Sequence, residues 1–273
     1  NINFFRNLGW PSNNIKIYSE KNNLSELFEF KNKKENNFYL VKYNKFFNFL
    51  KKNIRKSKFI KFIKLKDYNY NFIKNKNYNL IINSENNNSI TKKFFYRKIE
   101  KNYHSIAYTT LINHKKIKNK TATQIFTKNG PLAFLPLSKN QTSVVFSNDS
   151  QKKIEKKFIK KFIEKYNSRY EIKNISEVEK FNIKFSTLRN YYYENILAFG
   201  DLIHKVHPLA GQGFNMTIRD VNILSKIIEN NISLGIYNGE IIAKIFQEST
   251  KHFNFIYLTG IDFISNFFQF DNK

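Results

Sequence analysis

Apolar and polar positions along this chain follow two rhythms, and the rhythms predict its elements. Phe4-Phe5-Arg6-Asn7-Leu8-Gly9-Trp10 reads as the end of a short helix. Pro11 then leads into a hairpin with strands near Ile15–Ser19 and Leu27–Phe30. Phe46, Leu50 and Ile54 recur at steps of four, with Phe47 beside them, and predict a helix over about 43–55. Lys58–Lys66 alternates imperfectly and reads as a strand. Tyr78-Asn79-Leu80-Ile81-Ile82 is a short apolar run, the mark of a strand covered on both faces.

A β-rich block follows. Ile106, Tyr108, Thr110 and Ile112 alternate with other residues, as do parts of 123–128 and 141–147. Between them Gly130-Pro131-Leu132-Ala133-Phe134-Leu135-Pro136-Leu137 reads as a strand whose prolines demand an edge or a bend. A helix is expected at 151–166, with Ile154, Phe158, Phe162 and Tyr166 on its apolar face. Ile196-Leu197-Ala198-Phe199 reads as a buried strand stopped by Gly200. Phe214, Ile218, Val221, Leu224 and Ile228 lie at steps of three and four and predict an amphipathic helix. Residues 240–270 are helical by the same spacing. With no repeat and no long linker, the reading is one compact body with interleaved layers.

Composition narrows the class. A hydrophobic content of 41% with 29 Phe and 16 Tyr argues for a globular chain of 273 residues. The absence of cysteine excludes disulfides and Cys-ligated metals. No stretch approaches the roughly 18 apolar residues of a membrane span, and Asn1–Trp10 lacks the plan of a secretory signal. The formal charge of +26 would suit a polyanion, but Lys is spread along the whole chain with Asn, Ile, Phe and Tyr. Those types share A/T-rich codons, so base-composition bias accounts for the charge better than a nucleic-acid role, and a nucleic-acid partner is not expected.

The chemistry concentrates in 200–220, Gly-Asp-Leu-Ile-His-Lys-Val-His-Pro-Leu-Ala-Gly-Gln-Gly-Phe-Asn-Met-Thr-Ile-Arg-Asp. A strand, an acid at its tip, a loop with Pro and Gly, and a helix start together make a nucleotide-cofactor site. Asp201 can accept hydrogen bonds from sugar-type hydroxyls. Gly211 and Gly213 let backbone turn and approach a flat ring. The helix near Phe214 directs unpaired N–H groups and partial positive charge at such a ring. Pro208 stiffens the loop. The plainer alternative is that Asp201 caps a turn and the glycines only break a helix. A metal set of Asp201, His204 and His207 is a further alternative, disfavoured because Pro208 interrupts any regular helix that would make the side chains converge. No metal site is expected.

The run resembles the second flavin-binding motif of the class A aromatic monooxygenases. It is most similar to the hydroxylases of ubiquinone biosynthesis, with their recurrent Gly-Asp-x-x-His-x-x-x-Pro-x-x-Gly-Gln-Gly-x-Asn-x-x-x-Arg-Asp. Residues 124–137 and 143–146 also look like the substrate-domain sheet of that family, which lies over the flavin face. The resemblance implies an α/β (mixed α+β) fold like that of para-hydroxybenzoate hydroxylase: Rossmann-like FAD-binding layers interleaved with a β-sheet substrate domain. Residues 1–40 and 101–185 would form mainly the sheet, 41–100 and 186–235 mainly the FAD-binding part, and 236–273 a C-terminal helical segment. Gly200, Asp201, Pro208, Gly211, Gln212, Gly213, Phe214 and Asn215 would hold FAD. NAD(P)H would reduce it, and dioxygen would supply the oxygen placed on a polyprenylated phenol or benzoquinol ring. Since cofactor and dioxygen carry the chemistry, no catalytic side chain is assigned. The location implied is the cytoplasm or an organelle matrix, peripheral to a membrane or within a ubiquinone-biosynthesis complex.

Three departures stand out. The family's opening strand, Gly-x-Gly-x-x-Gly turn and helix for the ADP moiety are not found, so the chain reads as lacking the N-terminal βαβ unit, whether as a fragment or by gene decay, and its last helices are also missed. The middle motif Asp-Gly-x-x-Ser-x-x-Arg corresponds to Glu85-Asn86-Asn87-Asn88-Ser89-Ile90-Thr91-Lys92, without its Gly. There an Asn in a left-handed conformation is expected to keep the turn. Phe185-Ser186-Thr187 stands where the family has aromatic-Pro-Leu. The rival function is a non-catalytic remnant serving as a basic binding or assembly protein at a membrane or on RNA, where Tyr191-Tyr192-Tyr193 could stack on bases.

Overall fold

The computed structural model describes residues 6–20, 24–32, 36–63, 78–148, 154–205 and 212–270. In chain order the strands begin with β1 (Trp10–Ser12), β2 (Asn14–Ser19), β3 (Ser25–Lys31) and β4 (Phe38–Leu40), followed by helix α1 (Tyr43–Ile54). Next come β5 (Ile81–Asn83), α2 (Ser89–Phe94), β6 (Lys98–His114), β7 (Thr121–Thr127), β8 (Gly130–Pro136) and β9 (Gln141–Asn148). Helix α3 (Lys156–Tyr166), β10 (Ile172–Ile175), β11 (Glu179–Leu188), β12 (Tyr192–Tyr193) and β13 (Ile196–Ala198) lead to a 3-10 turn at Gly200–Leu202. Strand β14 (His204–Lys205) and helices α4 (Gln212–Ser233) and α5 (Gly239–Phe270) complete it. The chain falls into two compact units, 1–63 with 104–182 and 64–103 with 183–273. Each unit is thus assembled from two stretches of sequence. Residues 41–63, grouped by the sequence reading with 64–100, belong to the first unit.

The first unit is a sheet with strand order β6-β9-β8-β7-β2-β3, and β10 pairs the other side of β6. All neighbours are antiparallel except β2 and β7, which run parallel. Alternation fixes which face is buried. Ile106, Tyr108, Ile112, Leu132, Phe134, Val144 and Phe146 point to one side and pack on Ile159, Phe162, Ile163 and Tyr166 of α3. The predicted stripe on α3 is therefore turned: Ile159 and Ile163 are interior and Phe158 is exposed.

Two expectations need correction here. Strand β8 is central, not an edge, in spite of its two prolines. Pro131 pairs only with Phe126 of β7, and Pro136 only with Thr142 of β9. Each proline sits where one flank of the strand has run out of partners, so its missing N–H interrupts no ladder. Lys58–Lys66 does not form a strand over its described part, 58–63. Its alternation carries Phe59, which is 98% exposed, and Phe62, so neither face of the segment is covered.

The second unit holds a three-stranded sheet of order β12-β13-β5, with β13 parallel to β5 in the register Ile196↔Ile81, Leu197↔Ile82, Ala198↔Asn83. Strand β13 is wholly buried and is the centre of the core, with Leu202, Ile203, Leu224, Ala243 and Phe246 around it. Helices α4 and α5 pack on one another. Helix α5 begins hard against the entry to β5: a Cβ on Gly239 would lie 1.7 Å from the Asn79 carbonyl oxygen, a contact only glycine permits.

The face that α4 buries overlaps only in part with the one its apolar spacing predicts: Leu224 is buried and Ile228 packs on the core. Phe214 and Val221 are exposed, while Met216, Asp220, Leu224, Ile227 and Asn231 form the interior stripe. Two members of that stripe are polar, so hydrophobic periodicity pointed to a neighbouring line of residues. Both are satisfied: Asn231 Nδ2 donates to the Ile227 carbonyl at 2.8 Å, and Asp220 accepts from His204 and Arg219.

Candidate cofactor site

The site is assembled within the second unit at the end of β13. Phe199 continues the extended backbone, and its N–H bonds the Asn83 carbonyl at 2.9 Å. Gly200 then takes φ +63°, a left-handed conformation that costs an L residue about 1–2 kcal/mol. A Cβ there would only touch Thr217 Cγ2 at 3.8 Å, so the glycine is required for its φ and not for space. The 3-10 turn closes with the Ile203 N–H on the Gly200 carbonyl at 2.9 Å. Leu202 and Ile203 are buried, which leaves Asp201 as the exposed residue of the turn.

The turn packs on α4, whose first residue is Gln212. Gly213 and Gln212 are half-buried, Phe214 and Asn215 are exposed, and no acidic residue occupies the first helical turn. The first N–H groups of a helix have no partner within it and carry partial positive charge, so this end favours an anionic or acceptor-rich ligand. Gln212 is fixed from α5, where the Tyr257 hydroxyl donates to its Oε1 at 2.5 Å. Thr217 Oγ1 donates to the Gly213 carbonyl at 3.2 Å. The structure thus brings Gly200 and Asp201 to the same helix as Gln212, Gly213, Phe214 and Asn215. Pro208, Gly211 and His207 lie outside the described residues.

Two of the three residues of the metal alternative face different ways. His204 is turned into the interior on Asp220 at 2.9 Å, while Asp201 is exposed. Among the described residues no group of three His, Cys, Asp or Glu could hold an ion. The tyrosine triplet does not form a stacking platform either. Tyr191 is 1% exposed, and burial pushes its phenol pKa up, whereas Tyr193 stacks on Phe94 at 4.1 Å between centroids.

The turn after β5 persists by a route the sequence reading did not anticipate. No Asn in 85–88 is left-handed. Instead Asn88 caps α2 by accepting the Thr91 N–H at 2.8 Å and donates to Asn83 Oδ1 at 2.7 Å. Asn83 in turn donates to Thr91 Oγ1 at 2.8 Å, and Thr91 Oγ1 donates to the Glu85 carbonyl. Side-chain bonds of this kind replace a special backbone angle. Asn83 ends an apolar run, and that position was the available signal. The second unit also contains a groove of about 840 Å3 lined by residues including Arg189, Tyr191, Lys251 and Phe255. None of the motif residues lines it.

Comparison with known proteins bears on this geometry. The family model described as an FAD binding domain matches residues 101–233. The mitochondrial ubiquinone biosynthesis monooxygenase COQ6 of Dictyostelium discoideum is 36% identical over 95 residues, covering 34% of this chain and 19% of that protein. The 3-demethoxyubiquinol 3-hydroxylase of Escherichia coli is 31% identical over 147 residues, covering 51% of this chain and 37% of that enzyme. The chain therefore spans less than half the length of these curated relatives. Among solved structures, the probable FAD-dependent monooxygenase pqsL of Pseudomonas aeruginosa superposes with a TM-score of 0.70 at 13% identity, over 97% of this chain and 80% of that one. The p-nitrophenol 4-monooxygenase PnpA of Pseudomonas putida gives 0.67 at 11% identity, over 94% and 75%. The fold is that of the FAD-dependent monooxygenases, a mixed α/β architecture with a large β-sheet.

Proposed function

We propose, since this chain belongs to the class A FAD-dependent aromatic monooxygenases among relatives of the ubiquinone hydroxylases, that it forms the flavin and substrate-sheet part of an enzyme hydroxylating a polyprenylated phenol or benzoquinol. The observation that carries the reading is the left-handed Gly200 turn, which leaves Asp201 exposed and packs on α4, a helix whose first turn carries no acid. This donor and acceptor set fits the ribityl and ring end of FAD: a carboxylate for hydroxyls, N–H groups for the electron-rich ring edge, and Gly213 without a side chain. FAD, when bound, would supply electrons taken from NAD(P)H for the reaction with dioxygen. The protein's part is to bind and orient the ring and to keep water from it.

No Gly-x-Gly-x-x-Gly turn is present to receive the diphosphate, so FAD should bind this chain weakly. A prenylated substrate resides in a bilayer, and peripheral association with an anionic membrane is part of the proposal. The run 43–63 supports it: seven basic residues and no acid accompany the exposed Tyr43, Phe47, Phe49 and Phe59. No helix among the described residues is long and apolar enough to cross a membrane. The test is a titration of the chain with FAD and with riboflavin, followed by flavin fluorescence. Saturable weak binding of both, with FAD gaining little over riboflavin, is the expected result. Absence of saturable binding by either would reject the flavin reading.

A further inference from the structure

Two residues from opposite ends of the motif meet in the interior of the second unit. His204 Nε2 lies 2.9 Å from Asp220 Oδ2, and neither side chain has any exposed surface. The other oxygen of Asp220 accepts from Arg219 Nε at 3.2 Å and Nη2 at 2.8 Å. Arg219 Nη2 also donates to Asn254 Oδ1 of α5, and Asn254 Nδ2 donates to the Tyr191 hydroxyl at 3.4 Å. An ionised carboxylate only accepts, so the Nε2 of His204 carries the hydrogen. Its Nδ1 is buried with no partner among the described residues.

The cofactor reading above makes no use of this chain of groups, yet its placement is informative. Backbone pairing of Thr187 with His204 fixes β14 on β11. Asp220 lies eight residues into α4, about 12 Å along the helix from Gln212 at 1.5 Å per residue. Asp201 therefore sits between two points of attachment to one helix, Gly200 beside Thr217 and His204 on Asp220. We propose that His204 and Asp220 are positioning residues: with the Gly200 contact to Thr217, their buried bond fixes the Gly200–Leu202 turn on α4, so that the Asp201 carboxylate and the N–H groups at the start of that helix address a single flavin. The proposal rests on the flavin reading and deepens it.

The bond makes a specific demand on substitution. Gln at 204 can place an amide N–H where Nε2 stands, whereas Ala cannot. Asn at 220 offers one oxygen to two donors, so either Arg219 loses its acceptor or the amide faces His204 and drives the ring proton to Nδ1. The experiment measures FAD affinity for the wild type, His204→Ala, His204→Gln, Asp201→Ala and the His204→Ala/Asp201→Ala double variant. His204→Ala should weaken FAD about tenfold alone but less than about twofold when Asp201 is already absent, and His204→Gln should restore most of the loss. Wild-type affinity in His204→Ala, or losses that simply multiply, would overturn the proposal.

If Asp201→Ala itself leaves FAD affinity unchanged, the assigned role of Asp201 fails, and the clamp is judged by amide exchange instead. The Ile203 N–H should then exchange faster in His204→Ala while the amides of β13 keep their protection. Equal protection at Ile203 in both proteins would overturn the clamp. Should His204→Ala fail to fold, Asp220→Asn replaces it, and the imidazole nitrogen spectrum reports the tautomer. A proton moved to Nδ1 together with weakened FAD supports the clamp; a moved proton with unchanged FAD affinity, or an unmoved one with Arg219 still bonded, contradicts it.

Discussion

Asp220→Ala should lower the unfolding free energy of this protein by about 3 kcal/mol, near the lower end of the 3–5 kcal/mol typical of removing one partner from a buried charged pair. Both carboxylate oxygens are in use, and the side chain has no exposed surface. Alanine would leave the His204 Nε2–H without an acceptor in the core, a penalty of roughly 1–3 kcal/mol by itself. Arg219 keeps about a third of its side-chain surface (34%) and can turn toward water, which is why the upper end is not reached. Urea unfolding at constant m-value reads the change. A loss below about 1 kcal/mol would mean that the interior of α4 does not depend on this bond.

Asp201→Ala should do the opposite: little to stability and much to ligand binding. Asp201 is exposed, and none of the protein's described side-chain hydrogen bonds uses its carboxylate. Its removal should therefore shift unfolding by no more than about 0.5 kcal/mol. A carboxylate that accepts ribityl hydroxyls contributes about 1.5–3 kcal/mol, so flavin affinity should fall roughly 10- to 150-fold. Parallel titration of wild type and variant with riboflavin, alongside urea unfolding, separates the two roles. Comparable losses in both assays would make Asp201 a residue of the turn and not of the site.

The contrast between these two acids shows what the sequence could and could not reveal. The sheet was legible because its large apolar residues recur with a period of two: Ile106, Tyr108 and Ile112 on β6, and Val144 and Phe146 on β9, are interior as their alternation implies. The turn and helix of the motif were legible for a different reason, since Gly200 must be glycine and the residues after 211 favour a helix. The buried line of α4 was legible only in part, at Leu224, because Asp220 and Asn231 lie on it and a hydrophobic count assigns such residues to the surface. Asn231 is satisfied within its own helix by the Ile227 carbonyl, and the burial of Asp220 depends on His204, sixteen residues away. The prolines of β8 suggested an edge or a bend, and the strand is central because the damage a proline does depends on which flank is paired, a property of register and not of composition. The turn at 85–92 likewise depends on the reach of Asn83 to Thr91 across eight residues.

The central claim is that flavin is held jointly by the Gly200–Leu202 turn and the N–H groups at the start of α4. Amide hydrogen exchange of the chain with and without saturating FAD tests it most directly. Protection should rise at 199–203 and 212–217 and stay unchanged along the exposed groove formed by 187–191 and 247–255. Protection gained in that groove, with none at the turn or the helix start, would contradict the account.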